Sequence, residues 1–278
     1  MKFKIITLCM SLWTMQAIAE PTITVINPSN KTSPSTVFAM GIKDSIGADF
    51  YQSSTCEDAQ KTYNKTPNAV FIYNSSMEFG ARNKGISCPL KGNATAANTI
   101  FVGQTYMWVC RNPGSKTEVK SKDVKLGMAS MYATKAHEQT FRDAGADLTI
   151  VPYAGSKDVV NAVRAGDITL GWIGSGMAKK QAEAGALDCV YSTDPQADNF
   201  LGKAVNVPIP NFSIGYVVYT NSKDPAVLAR LRNIEKDPKF QTYLKSSLTS
   251  GTWSPTQTDL DAMVAKVDNM AKHWIDKK

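Results

Sequence analysis

The sequence predicts an α/β protein built from strand–helix–strand units. Two observations carry this. Between residues 124 and 185, a short apolar run is followed by an amphipathic run three times over. Each amphipathic run stops at a glycine: Gly145, Gly166 and Gly185. Alternation of this kind predicts βαβ units and a parallel sheet, and a glycine just past a helix is where a left-handed C-cap belongs. Composition agrees. With 278 residues, 43% hydrophobic and 20% charged, 18 Gly and 13 Pro, the chain is neither disordered nor fibrous. Its length allows one large domain or two modest ones, each able to bury a core.

Taken in order, residues 1–19 (MKFKIITLCMSLWTMQAIA) have a basic start, an apolar stretch and an Ala17-Ile18-Ala19 cleavage pattern. They are expected to be a secretory signal peptide, too short to span a membrane. Leu8 precedes Cys9 where a lipoprotein signal has a small residue, so no lipid anchor is expected. Lys2 and Lys4 leave with this segment and reduce the formal charge of +7. Of the five cysteines, Cys56, Cys88, Cys110 and Cys189 remain. An even set in an exported chain predicts two disulfides, with every pairing open at this point.

Thr22–Asn27 (TITVIN) reads as a buried strand, followed by a polar stretch, Pro28–Ser35. Phe38, Ile42 and Ile46 then mark one helix face. Asn68–Tyr73 (NAVFIY) is a second strand and Tyr106–Arg111 (YMWVCR) a third. The lysine-rich Ser115–Lys125 stretch has no interleaved aromatics and reads as a solvated surface, so no nucleic-acid partner is expected. In the middle region, Val124–Ser130, Asp147–Tyr153 and Ile168–Ile173 are the strands. The helices between them centre on His137–Ala144 and on Val159, Val160 and Val163. Asp188–Thr193 and Ser213–Thr220 are late strands. Leu260, Val264, Val267, Ala271 and Trp274 form the stripe of a C-terminal helix.

In open α/β sheets, ligands sit beyond the carboxyl ends of the strands. The loops there are Pro28–Ser35, Asn74–Ser76, Met131–Ala136, Ala154–Lys157 and Gly174–Gly176. They hold Ser29, Asn30, Thr32, Ser33, Asn74, Ser75, Ser76, Thr134, Ser156 and Ser175, with Ser130 beside them. Lys31, Lys135 and Lys157 are present, and acids are absent from all five. Several open onto helix starts, where free N–H groups and the helix dipole attract an anion. Single Ser and Thr residues at such places commonly serve only as N-caps; the shared bias of five loops points to an anion site.

Enzyme signatures are poor. His137 has no acidic orienter in these loops, and Ser175 lacks the G-x-S-x-G setting. Only His137 and His273 are histidines, which excludes multi-histidine metal sites, so no metal and no cofactor are expected. Two other readings are an exported hydrolase pairing Ser130 or Ser175 with His137, and a solute-sensing module with a non-transport partner.

Val151-Pro152-Tyr153-Ala154-Gly155, then a helix, then Ala165-Gly166-Asp167-Ile168 resembles the VPY-x-G segment of the tripartite tricarboxylate transporter (Bug-type) periplasmic receptors. Ile23–Pro28, Met128-Ala129-Ser130 with His137, Gly185-Ala186-Leu187 and Asp237-Pro238 resemble further family segments in order. The resemblance implies a two-lobed, type II-like periplasmic binding protein fold. Each lobe would be a mixed sheet flanked by helices, with a cleft between them. Residues 20–107 plus 195–278 would form lobe 1, and residues 108–194 lobe 2 with the crossover strands. The crossovers lie side by side in such folds, which implies Cys110–Cys189 and leaves Cys56–Cys88. The implied job is capture of a small carboxylate in the periplasm, by a monomer, for delivery to integral-membrane permease subunits. The implied ligand set adds Tyr132, Ala133, His137, Tyr153, Gly155 and Gly174 to the loop residues above. Asn30–Ser33 stands where the family has a glycine pair, and Tyr132-Ala133-Thr134 where it has Gly-x-Gly. Ile173 stands where it has an aspartate. With acids lost and Lys31 gained, an anion lacking an ammonium group is expected.

Overall fold

The computed structural model describes residues 20–29, 33–53, 55–75, 77, 93–129, 138, 141–142, 145–193 and 213–274. Among the described residues, ten strands form one sheet: β1 (Thr24–Asn27), β2 (Asp49–Gln52), β3 (Ala69–Asn74), β4 (Thr99–Arg111), β5 (Val124–Met128), β6 (Leu148–Pro152), β7 (Leu170–Gly174), β8 (Asp188–Ser192), β9 (Ser213–Thr220) and β10 (Thr249–Trp253). Their order is β2-β1-β3-β9-β4-β7-β5-β6, with β8 and β10 also paired to β4. Among the described residues, the helices that flank it are α1 (Pro34–Ile46), α2 (Cys56–Lys65), α3 (Ser156–Ala165), α4 (Ser175–Glu183), α5 (Pro225–Asn233), α6 (Pro238–Ser247) and α7 (Gln257–Trp274). Glu138 and Phe141–Arg142 are also helical.

The parallel arrangement expected from the alternation holds within two sets of strands. β1 pairs in parallel with β2 and β3, and β5 with β6 and β7. Between these sets the sheet is mixed, because β9 and β4 run antiparallel to their neighbours. The third expected strand is also longer than its apolar signal. β4 extends back to Thr99 and spans 13 residues. Gly103 and Gln104 interrupt its apolar run, and Gly103 has a packing reason. A Cβ there would sit 2.3 Å from the Phe101 ring and 2.6 Å from the Ser250 carbonyl oxygen on β10. β2 and β10 gave no signal because they are short and mostly half-exposed or exposed.

The helix ends follow the glycine reading. Gly145, Gly166 and Gly185 have φ of 78°, 83° and 65°, a region where glycine carries no Cβ penalty. The stripe predicted on α1 faces inward: Phe38, Ile42 and Ile46 are all buried. Phe38 stacks on Tyr216 of β9 at a centroid distance of 5.0 Å and meets Phe101 and Phe240. Across the sheet, Phe71 stacks on Tyr219, and beyond β4 the fully buried Trp172 meets Phe141 edge-on.

β4 and β8 lie side by side with Cys110 opposite Cys189, and the two are disulfide-bonded across 79 residues. Both are buried. Cys56 is disulfide-bonded as well; its expected partner, Cys88, lies outside the described residues. Arg111 at the end of β4 reaches Glu118 and Asp188, and Tyr191 donates to Glu118. Lys116, Lys120, Lys122 and Lys125 are exposed, as their composition predicted.

Candidate functional site

Three helices start directly beyond the carboxyl ends of strands: α1 after β1, α3 after β6 and α4 after β7. Their first residues meet around one cavity of about 470 Å³, lined by Pro34 of α1, Ser156 of α3, and Gly174 and Gly176 at the start of α4. Thr105 of β4, Tyr216 of β9 and the far end of α6 close it. Gly174 lies beside α1: a Cβ there would make ordinary contact, 3.6 Å from Pro34 Cγ. Gly176 is tighter. A Cβ at that position would fall 2.5 Å from Ser247 Cα, so only glycine lets the start of α4 seat against the end of α6.

The three starts are finished differently. At α1, Ser33 is the N-cap and its Oγ accepts from the Thr36 N–H at 3.1 Å. A hydroxyl and amide network continues from it. Ser33 Oγ bonds Ser35 Oγ, Ser35 Oγ donates to Ser29 Oγ at 2.7 Å, and Asn74 Nδ2 donates to Ser29 and Ser35. Asn27 and Gln52 both donate to Thr36 Oγ1. The side-chain Oδ1 atoms of Asn27 and Asn74 are buried without a hydrogen-bond partner among the described residues. At α3 and α4 the N-caps are Gly155 and Gly174, with no side-chain cap bond at either. Their first N–H groups thus have no side-chain cap. Ser156, 4% exposed, adds a hydroxyl with no partner among the described residues.

Of the sequence-predicted site residues, Ser156 and Gly174 line this cavity, with Gly155 adjoining it as the α3 N-cap. Ser29, Ser33 and Asn74 belong to the network at the start of α1. Tyr153 is half-buried and lies against Gly127. Two hydroxyls turn inward instead. Ser75 is fully buried and accepts the Gly215 N–H at 3.1 Å. Ser175 is also fully buried, bonded to Thr105 Oγ1 and donating to the Ser247 carbonyl oxygen. That burial leaves the Ser175 hydroxyl inaccessible as a nucleophile. Asn30, Lys31, Thr32, Ser76, Ser130, Tyr132, Ala133, Thr134 and His137 lie outside the described residues.

Other lining residues had no motif to announce them: Val37, Met177, Lys180, Tyr243 and Ser247. Val37 did carry a signal. It is apolar yet lies off the Phe38–Ile42–Ile46 stripe, and it is 52% exposed. Burial pushes the Tyr216 and Tyr243 phenols up, so both stand neutral in the wall. Among the described residues, no group of His, Cys, Asp or Glu is placed to hold a metal ion, and no helix is long and apolar enough to cross a membrane.

No protein-family model matches the chain, and no curated protein matches it in sequence. Solved structures share its fold. A periplasmic transporter aligns with a TM-score of 0.72 at 17% identity, covering 94% of this chain and 98% of that one. An R. palustris protein solved with adipate aligns with a TM-score of 0.69 at 14% identity, covering 92% and 98%. The periplasmic binding protein BugD gives 0.60 at 14% identity, covering 92% and 96%. What is shared at these identities is the fold. It is the periplasmic binding protein fold, which the sequence resemblance implied.

Proposed function

We propose that the chain is a periplasmic solute-binding receptor of the tripartite tricarboxylate type. It captures a small carboxylate between two lobes, residues 20–107 with 195–278 and residues 108–194, and hands it to membrane permease subunits. The observation that carries this reading is the pair of glycine-capped starts at α3 and α4, opening on one cavity beside an unpartnered buried serine. Backbone N–H groups and the helix dipole favour a carboxylate there, and Glu183, which also lines the cavity, pairs with Lys179 at 3.7 Å. The fold likeness to a protein solved with adipate supports the same ligand class. Reaction chemistry has no support beside it: Ser175 is buried, and the similar structures are binding proteins.

The expected ligand is an anion without an ammonium group. A thermal-shift screen of dicarboxylates against amino acids tests this. A dicarboxylate at 100 times its Kd is expected to stabilise the protein by about 2.7 kcal/mol. Stabilisation by zwitterionic amino acids and not by dicarboxylates would sink the reading.

A further inference from the structure

The two halves of β4 keep different company. Up to Tyr106 it pairs with β9 and β10; from Met107 onward it pairs with β7 and β8. The later strands meet at the same boundary. Thr193, just past β8, exchanges hydrogen bonds with the Met107 backbone, and Ser213, the first residue of β9, lies opposite Tyr106. Rotating one half of the sheet against the other therefore bends β4 at this point. On the β9 side, a polar cluster ties the strands together. Lys266 of α7 donates to Gln104 Oε1 at 2.5 Å and to Ser213 Oγ at 2.6 Å, and Ser213 Oγ donates to Gln104 Oε1 at 3.0 Å. Gln104 Nε2 donates in turn to the Tyr106 hydroxyl at 2.8 Å. Thr105, between the two, lines the cavity and bonds Ser175 at the start of α4. Lys266 is half-buried, and among the described residues its ammonium meets neutral oxygens and no carboxylate. Burial without a counter-charge costs stability and holds the ammonium below the usual lysine range. Gly215, two residues along β9, lets α7 come this close: a Cβ there would lie 2.5 Å from Met263 Sδ.

Resting on the two-lobed receptor reading, we propose that Lys266 is a positioning residue that clips β4 to the start of β9 and so limits how far the lobes swing apart. Its charged donor makes stronger hydrogen bonds than a neutral one. The clip acts just before the point where β4 changes partners, so bending is confined to the boundary itself. Lys266 does not line the cavity. It acts on binding through Gln104 and Ser213, by holding Thr105 in register with the start of α4.

Pulsed dipolar EPR on the full mature chain tests this, with spin labels at the exposed positions Lys61→Cys and Arg164→Cys, one in each proposed lobe. Without ligand, Lys266→Met should broaden the distance distribution about twofold, because an unclipped hinge samples a wider range of angles. Gln104→Glu gives the ammonium a carboxylate partner and should narrow the distribution. Opposite movement in two near-isosteric variants is not what a general loss of packing produces. Unchanged widths in both variants, or broadening in both, overturn the proposal. Should Lys266→Met fail to fold, Gln104→Glu decides alone. Adding adipate, malate or citrate to the labelled chain with Lys266 and Gln104 intact tests the receptor reading separately. If no acid shifts that distance, the receptor reading falls, while the ligand-free widths still decide the role of Lys266.

Discussion

The helices of this protein begin in two ways. Away from the cavity, each start is closed by a side chain. Thr55 accepts the Asp58 N–H at α2, Asp224 accepts at α5, and Asp237 accepts two N–H groups at α6. Before α7, Thr256 and Asp259 bond each other's backbone N–H groups. At the cavity, Ser33 caps α1, whereas α3 and α4 begin at glycine with no cap. A cap stabilises a helix by about 1 kcal/mol, so two bare starts on one cavity forgo stability where an anion can supply the missing bonds. On the proposed reading, stability is vested in the frame and binding in the exceptions to it.

The largest expected effect tests the frame. Replacing both Cys110 and Cys189 by serine removes a link that closes a 79-residue loop. It should cost about 3–5 kcal/mol in urea denaturation. Next comes the site. Gly174→Asp would place a carboxylate where the ligand's is expected, capping α4 from within the chain. Its Cβ has room at 3.6 Å from Pro34. Carboxylate affinity should fall about 100-fold by titration calorimetry, as like-charge juxtaposition predicts, while the melting temperature holds. Unchanged affinity would end the contrast between the two kinds of helix start. Thr55→Ala is the mirror case: about 1 kcal/mol of stability lost and ligand affinity kept.

The smallest effect is set by pH. The Phe240 N–H holds the Asp237 carboxyl below its usual range, and the Tyr51 hydroxyl does the same for Asp58. A lowered folded pKa contributes stability that is present above the unfolded value near 3.8 and lost as pH falls through the folded one. Chemical denaturation between pH 6 and pH 3 should show a modest decline. Asp237→Asn and Asp58→Asn should each flatten it.

Much of this arrangement is legible in the residue order. Gly145, Gly166 and Gly185 mark helix ends because a positive φ restricts the residue type locally. The α1 stripe is readable because its period is a property of the helix alone. The cavity's far wall is not readable. Tyr243 and Ser247 reach it from α6, far beyond α4 in sequence, through a contact that depends on the absent side chain of Gly176. The first half of β4 was hidden for a related reason. Gly103 breaks the apolar pattern because Phe101 folds over it, and that is a feature of packing. Ser75 and Ser175 look like loop hydroxyls in sequence, yet backbone groups distant in the chain claim them.

The long β4 strand has a consequence for how the chain acquires its structure. Every strand that pairs with it, from β7 and β8 to β9 and β10, lies later in the sequence. Its hydrogen bonds are therefore non-local, and such pairings form slowly because loop closure comes before any reward. The central scaffold cannot assemble on an emerging N-terminal portion. β4 is paired along its whole length only once β9 and β10, in the last quarter of the chain, are present.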